Sequence, residues 1–188
     1  MKFKQQLLQM FELSDEQADL IISRFVPEEL SKNELFLEAG KACKKLSFIE
    51  EGICRVFKWT DSKEVTQWIG GEGYFITDLA SFFFDNPANW SIEALTPTKL
   101  WTLNKSDYLD IQQSIPNWNV IEKRFIAKCF MQIEHRVFDF IALSAEERYQ
   151  KYFEQNKQLF NQVPLQYIAS VLGMSPETLS RIRNKLSS

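Results

Sequence analysis

The chain has 188 residues, 45% hydrophobic and 14% aromatic, which is ample apolar material for a packed core. Sixteen Phe and five Trp against six Gly and six Pro exclude a disordered tail or a low-complexity linker. The net charge is −3, but it is uneven: residues 145–188 hold six Lys and Arg against four Asp and Glu, a weak pointer to a nucleic-acid contact confined to that end.

The opening "MKFKQQLLQMF" has no apolar run of the kind a signal peptide or anchor needs, and the longest apolar cluster, "LASFFF", is too short to span a bilayer. Cys43, Cys54 and Cys129 are odd in number and lack C-x-x-C spacing, which argues against a disulfide framework, a zinc ribbon or a clustered iron–sulfur motif. The expectation is a cytoplasmic protein with no membrane partner.

Two short helical patterns come first: Phe3, Leu7, Leu8 and Phe11 at helical spacing, then "SDEQADLIISRF", in which Ser14 and Gln17 have the spacing of a capping box. From about Leu35 the period changes. The segments "ELFLEAG", "KLSFIEEG", "ICRVFKW", "EVTQWIGG", "YFIT", "WSIEAL" and "TKLWTLN" are short, rich in Val, Ile, Phe, Trp and Thr, and divided by Gly, Pro, Asp or Asn. They predict an antiparallel β-roll or sandwich. The helical period returns in "NKSDYLDIQQSIP", and from Asn117 to about Leu143 a single long helix pattern runs without Gly or Pro. Along it Ile126, Phe130, Ile133, Val137 and Phe140 recur at spacings of 4, 3, 4 and 3, a heptad seam suited to a homodimer, while Trp118, Ile121, Phe125 and Cys129 form a second apolar row for the β-domain; a single broad stripe buried within the chain is the competing reading. "LSAEERYQKYF", with Ser144 and Glu147 as another capping pair, then begins a new unit. The predicted division is residues 1–116, 117–143 and 144–188.

The last unit carries the most specific pattern, "VPLQYIASVLGMSPETLSRIRNKLSS". Counted as a helix-turn-helix from Leu165, Ile168, Leu172, Met174, Leu179 and Ile182 fall where two crossed helices bury apolar groups, Ala169 where they come closest, and Gly173 at the turn, where positive φ is needed. Pro164 suits the first turn of the first helix, Ser175 the N-cap of the second and Pro176 its first position. On the second helix Leu179, Ile182 and Leu186 share an inward face and leave Glu177, Ser180, Arg181 and Asn184 outward. Those four are the candidate base contacts: Arg181 can donate twice to guanine, Glu177 can accept from cytosine and Ser180 is adaptable. Gln166, Ser175, Thr178, Arg183 and Lys185 are better placed for phosphates of double-stranded DNA. An ordinary helix hairpin with solvated charges is the competing reading.

"FIEEGICRVF", then "GYFITDLASF", a long helix, and "YIASVLGMSPETLSRIRNKL" together resemble a Crp/Fnr family transcription regulator over almost the whole chain. The resemblance implies an α+β fold: a cyclic-nucleotide-binding-like jelly roll with flanking helices, a dimerisation helix and a DNA-binding helix-turn-helix. It also implies RNA polymerase as a further partner. In the Fnr branch, Glu, Ser and Arg at positions matching Glu177, Ser180 and Arg181 read the operator. The nucleotide cassette departs from the family: in "TDLASFFFDNPANWSIEA", Asp78 stands where a ribose-binding Glu would be, and Trp90, before Ser91, replaces the phosphate-binding Arg. A phosphate without a charge partner is costly to bury. The implied effector region, Asp78, Leu79, Trp90 and Ser91, is therefore expected not to take cyclic AMP. Phe82, Phe83, Phe84 and Trp90 either plug the roll or line a pocket for an apolar effector. The chain ends two residues beyond Leu186, where a winged relative continues into a β-hairpin; either the wing is absent or the chain is trimmed, and without a wing fewer phosphate contacts and a shallower salt dependence are expected.

No catalytic site is predicted, and no metal or cofactor. The single His135 lies beside the heptad seam, where an interface histidine is a simpler reading than a ligand or a general base, and a cupin-like enzyme needs several histidines. Cys43 and Cys54 read as inert buried thiols. Gly70, Gly71 and Gly73 read as a strand turn rather than a nucleotide loop. The expected function is sequence-specific DNA binding as a dimer under control of the sensor. The rival is a small-molecule sensor acting through protein contacts.

Overall fold

A computed structural model describes residues 2–187. Helices α1 (Lys2–Phe11) and α2 (Asp15–Ile22) lead into strands β1 (Val26–Leu30), β2 (Leu35–Leu37), β3 (Lys45–Glu51), β4 (Cys54–Trp59), β5 (Glu64–Gly70) and β6 (Phe75–Ile76). A short helix α3 (Leu79–Phe84) precedes β7 (Ser91–Ala94) and β8 (Thr98–Asn104). Helices α4 (Lys105–Ser114), α5 (Trp118–Ala142), α6 (Ala145–Gln155), α7 (Leu159–Gln162), α8 (Leu165–Val171) and α9 (Pro176–Ser187) complete an α+β fold.

The strands form two antiparallel four-stranded sheets, ordered β1-β8-β3-β6 and β2-β7-β4-β5. Alternation along each strand turns one set of side chains inward. Phe36, Ile49, Cys54, Ile76, Ile92 and Leu100 fill the space between the sheets. The outer face of the first sheet is covered by the N-terminal helices, α4 and the start of α5, with Phe3 stacked on Phe48 at 4.5 Å between ring centroids. The second sheet meets the C-terminal helices: Ile53, Ile69 and Leu95 share one apolar cluster with Tyr149, Leu159, Ile168, Leu172, Leu179 and Ile182.

The seven predicted strand segments are all present, and both capping boxes form, Ser14 with Gln17 and Ser144 with Glu147. Strand β1 was not predicted, because "VPEEL" carries Pro27 and two glutamates. It lies at the edge of its sheet, pairing only with β8, where a proline is tolerated. Nor was α3 predicted from "LASFFF". Asp78 caps it, and Asp85 ends it in the left-handed conformation, φ 56°.

Three expectations need correction. Phe82 does not plug the roll: it packs in the helical layer against Tyr108, with ring centroids 5.2 Å apart. Phe84 is 74% exposed and does not plug it either. Leu186, assigned to the inward face of α9, lies on the last turn beyond the crossing and is 42% exposed.

Candidate nucleic-acid interface

The C-terminal unit is built as two crossed helices on a supporting pair. Pro164 caps α8, and its own missing N–H costs nothing there. Ile168 and Ala169 on α8 and Leu179 on α9 are fully buried, so the small Ala169 allows the close approach. Between the helices Gly173 has φ +66°, and a Cβ on it would lie 2.5 Å from Cε1 of Phe140 on α5. The turn thus needs glycine twice over, for its backbone and for its neighbour. Ser175 Oγ accepts a hydrogen bond from Thr178 N at 3.2 Å, capping α9.

Glu177, Ser180, Arg181 and Asn184 all stand exposed on α9, opposite buried Leu179 and Ile182. The Glu177 carboxyl is held below its usual range by the Ser175 hydroxyl and by the helix amides. Of the residues assigned to phosphates, Gln166 and Ser175 are exposed and Thr178 and Arg183 half-buried, while Lys185 makes an exposed ion pair with Glu146 at 2.7 Å.

Helix α8 is docked on the second sheet. Ser170 Oγ on α8 accepts from Thr66 N at 2.8 Å and approaches Thr66 O at 3.3 Å, covering part of the open edge of β5. The Arg136 guanidinium on α5 bridges the same two elements by donating to Gln67 O of β5 and to Val171 O of α8. Arg148 donates to Leu172 O at 3.2 Å and to Leu143 O at 2.8 Å. Arg55, buried on β4, is clamped by Glu64 and Glu93, and its guanidinium lies 3.9 Å from the Tyr167 ring centroid of α8. Burial alone would lower its proton affinity, but the bonds to the two carboxylates outweigh this.

Sequence reasoning passed over these four docking residues, Arg55, Arg136, Arg148 and Ser170. The one available signal was Arg55, a charge inside the apolar strand "ICRVFKW" with glutamates in neighbouring strand segments.

Helix α5 divides its faces as two apolar rows require. Ile121 is buried and Trp118, Phe125 and Cys129 are half-buried; Phe125 meets Phe11 and Phe75 with centroids 5.4 and 5.6 Å away. In the seam, Phe130, Ile133 and Val137 are 65%, 55% and 53% exposed. Ile126 is half-buried within the chain, and Phe140 packs on Gly173 and under Arg148, whose guanidinium is 5.0 Å from its ring centroid.

The cassette residues are occupied by the protein itself. Asp78 is buried, and its carboxylate accepts from Ser81 N at 3.0 Å, Asn89 N at 2.8 Å and Trp90 N at 3.3 Å. Ser91 Oγ accepts from Ala39 N, and Ser81 Oγ from Cys43 N. Leu79 and Trp90 are half-buried beside them. Cys43 and Cys54 are buried free thiols, the latter pushed up to about 12 by burial. His135 is exposed on α5, and among the described residues no three His, Cys, Asp or Glu side chains gather as a metal site. No described helix is long and apolar enough to cross a membrane.

Residues 27–114, a little under half of the chain, match the family model of the cyclic nucleotide-binding domain. A search of curated proteins finds no match. Among solved structures, the catabolite activator protein of Thermus thermophilus is 21% identical, with a TM-score of 0.61 over 97% of this chain and 86% of that one. FixK2 of Bradyrhizobium japonicum is 16% identical, TM-score 0.71, over 87% and 84%. A putative cAMP-binding regulatory protein of Silicibacter pomeroyi is 18% identical, TM-score 0.68, over 99% and 86%. The structural similarity shows a shared fold.

Proposed function

We propose that this chain is a Crp/Fnr-type transcription regulator that binds double-stranded DNA as a homodimer through α9. The observation that carries the reading is the division of that helix. Its inner row is buried against α8, whereas Glu177, Ser180, Arg181 and Asn184 stand outward together. A polar row presented on the second of two crossed helices is what a major groove admits. The fold shared with regulators supports it, and the exposed Phe130, Ile133 and Val137 supply an apolar surface that a second α5 would cover. Pairing through a two-fold axis would set two α9 helices against half-sites about one helical turn apart.

In this reading the roll is a sensor that has ceased to read cyclic AMP. The Asp78 carboxylate is engaged by three backbone amides, and Trp90 offers no cation to a phosphate. Calorimetry with cyclic AMP is expected to show no binding heat. Selection of bound sites from random duplex DNA tests the main proposal: two-fold symmetric sites with that spacing are expected. Recovery of sequences no different from the input pool would overturn it.

A further inference from the structure

A cavity of about 570 Å³ lies where the sensor sheet, α5 and the C-terminal unit meet. None of Asp78, Leu79, Trp90 and Ser91 lines it, and it falls in the size range of small-molecule sites. Trp68 and Tyr74 from the sensor form one wall, Phe138 and Phe140 from α5 another, and α6 contributes Tyr152. These rings give flat apolar surface.

The charges in the cavity do not balance. Lys151 is neutralised by Asp139 at 2.7 Å, but Arg136 and Arg148 also line it, and their hydrogen bonds go to main-chain carbonyls of Gln67, Val171, Leu143 and Leu172. Among the described residues neither guanidinium has a carboxylate partner. Both lie against aromatic rings, Arg136 at 5.6 Å from the Trp68 and Phe140 centroids. Both are half-buried; a guanidinium partly withdrawn from water without a counter-charge is costly, and one anion can offset two of them. Each arginine keeps donors beyond those used on carbonyls, since a guanidinium carries five.

We infer that this junction is a binding site for a planar aromatic anion, its carboxylate or phosphate facing Arg136 and Arg148 and its ring against Trp68, Tyr74 and Phe138. A ligand there touches the sensor strand β5, the α5 helix and the end of α8 at once. It would bias how the helix-turn-helix sits on the roll, and that regulatory consequence rests on the DNA-binding reading above. The binding itself does not.

The test uses the full chain without DNA, so failure of DNA recognition leaves it intact. Three probes are titrated by fluorescence or calorimetry: 8-anilinonaphthalene-1-sulfonate, salicylate for a carboxylate head, and AMP for a phosphate head. Saturable one-to-one binding of the dye, displaced by salicylate or by AMP, is expected, and the better competitor identifies the head group. Gln155→Glu and Gln132→Glu place a carboxylate at exposed positions of the cavity lining, one on α6 and one on α5. Each should weaken binding at least about tenfold by like-charge repulsion without lowering the unfolding temperature. Dye binding unchanged in both variants, or no saturable binding of any probe, would overturn the assignment.

Discussion

Gly173→Ala probes the joint between the long helix α5 and the α8–α9 turn. An L-residue held at the φ of +66° found there costs about 1–2 kcal/mol. The new Cβ would also stand 2.5 Å from Phe140 Cε1. The Phe140 ring is 39% exposed and can swing outward, so displacing it costs about 1 kcal/mol in rotamer strain and roughly another 0.5–1 kcal/mol in lost stacking with Arg148. The variant should therefore lose about 2.5–4 kcal/mol of stability in urea unfolding. With Phe140 already replaced by Ala, the collision is gone and only the backbone term of about 1–2 kcal/mol remains. Comparing the cost of Gly173→Ala in the two backgrounds isolates the contact. Equal costs in both would refute the claim that the turn is shaped against α5.

Other perturbations test separate parts of the account. Phe130→Glu on the exposed seam should convert a dimer to a monomer in sedimentation equilibrium while leaving the unfolding midpoint of the monomer unchanged; a monomeric parent would contradict the proposed pairing. Asp78→Ala leaves three amides without their acceptor and should cost about 2–4 kcal/mol, whereas a residue kept for ribose contact would cost little. The Glu122 carboxyl has one buried oxygen without a partner, and burial holds its pKa above the usual value. Above that usual value the folded chain binds the proton more tightly than the unfolded one, so stability falls as pH rises through the window. Glu122→Gln should remove this fall, raising the unfolding temperature at pH 8 more than at pH 4; an equal change at both values would count against it.

What the sequence made legible was whatever depends on local period and caps. The limits of α5 could be read because Asn117 and Leu143 bound a run free of Gly and Pro, and the turn at Gly173 because positive φ and close packing restrict residue type. The outward row of α9 followed from the same helical period. Illegible were the features that depend on what a residue meets across the fold. Pro27 hid an edge strand, since edge position is a property of the sheet. Phe140 fitted the heptad as well as Val137 does, and only the docked C-terminal unit distinguishes them. Nothing in the sequence around Arg136 and Arg148 sets them apart from other helix arginines. Their partners are main-chain carbonyls, for which no side chain is diagnostic.

The central claim is that the outward side chains of α9 read bases. Fluorescence anisotropy on a duplex recovered by selection, with single-base variants of each half-site, tests it most directly through Arg181→Ala and Lys185→Ala. Arg181→Ala should lose about 1–3 kcal/mol and relax discrimination at one base pair per half-site, while Lys185→Ala should weaken all duplexes to a similar degree. Discrimination by Arg181→Ala as sharp as the parent's at every base pair would contradict it.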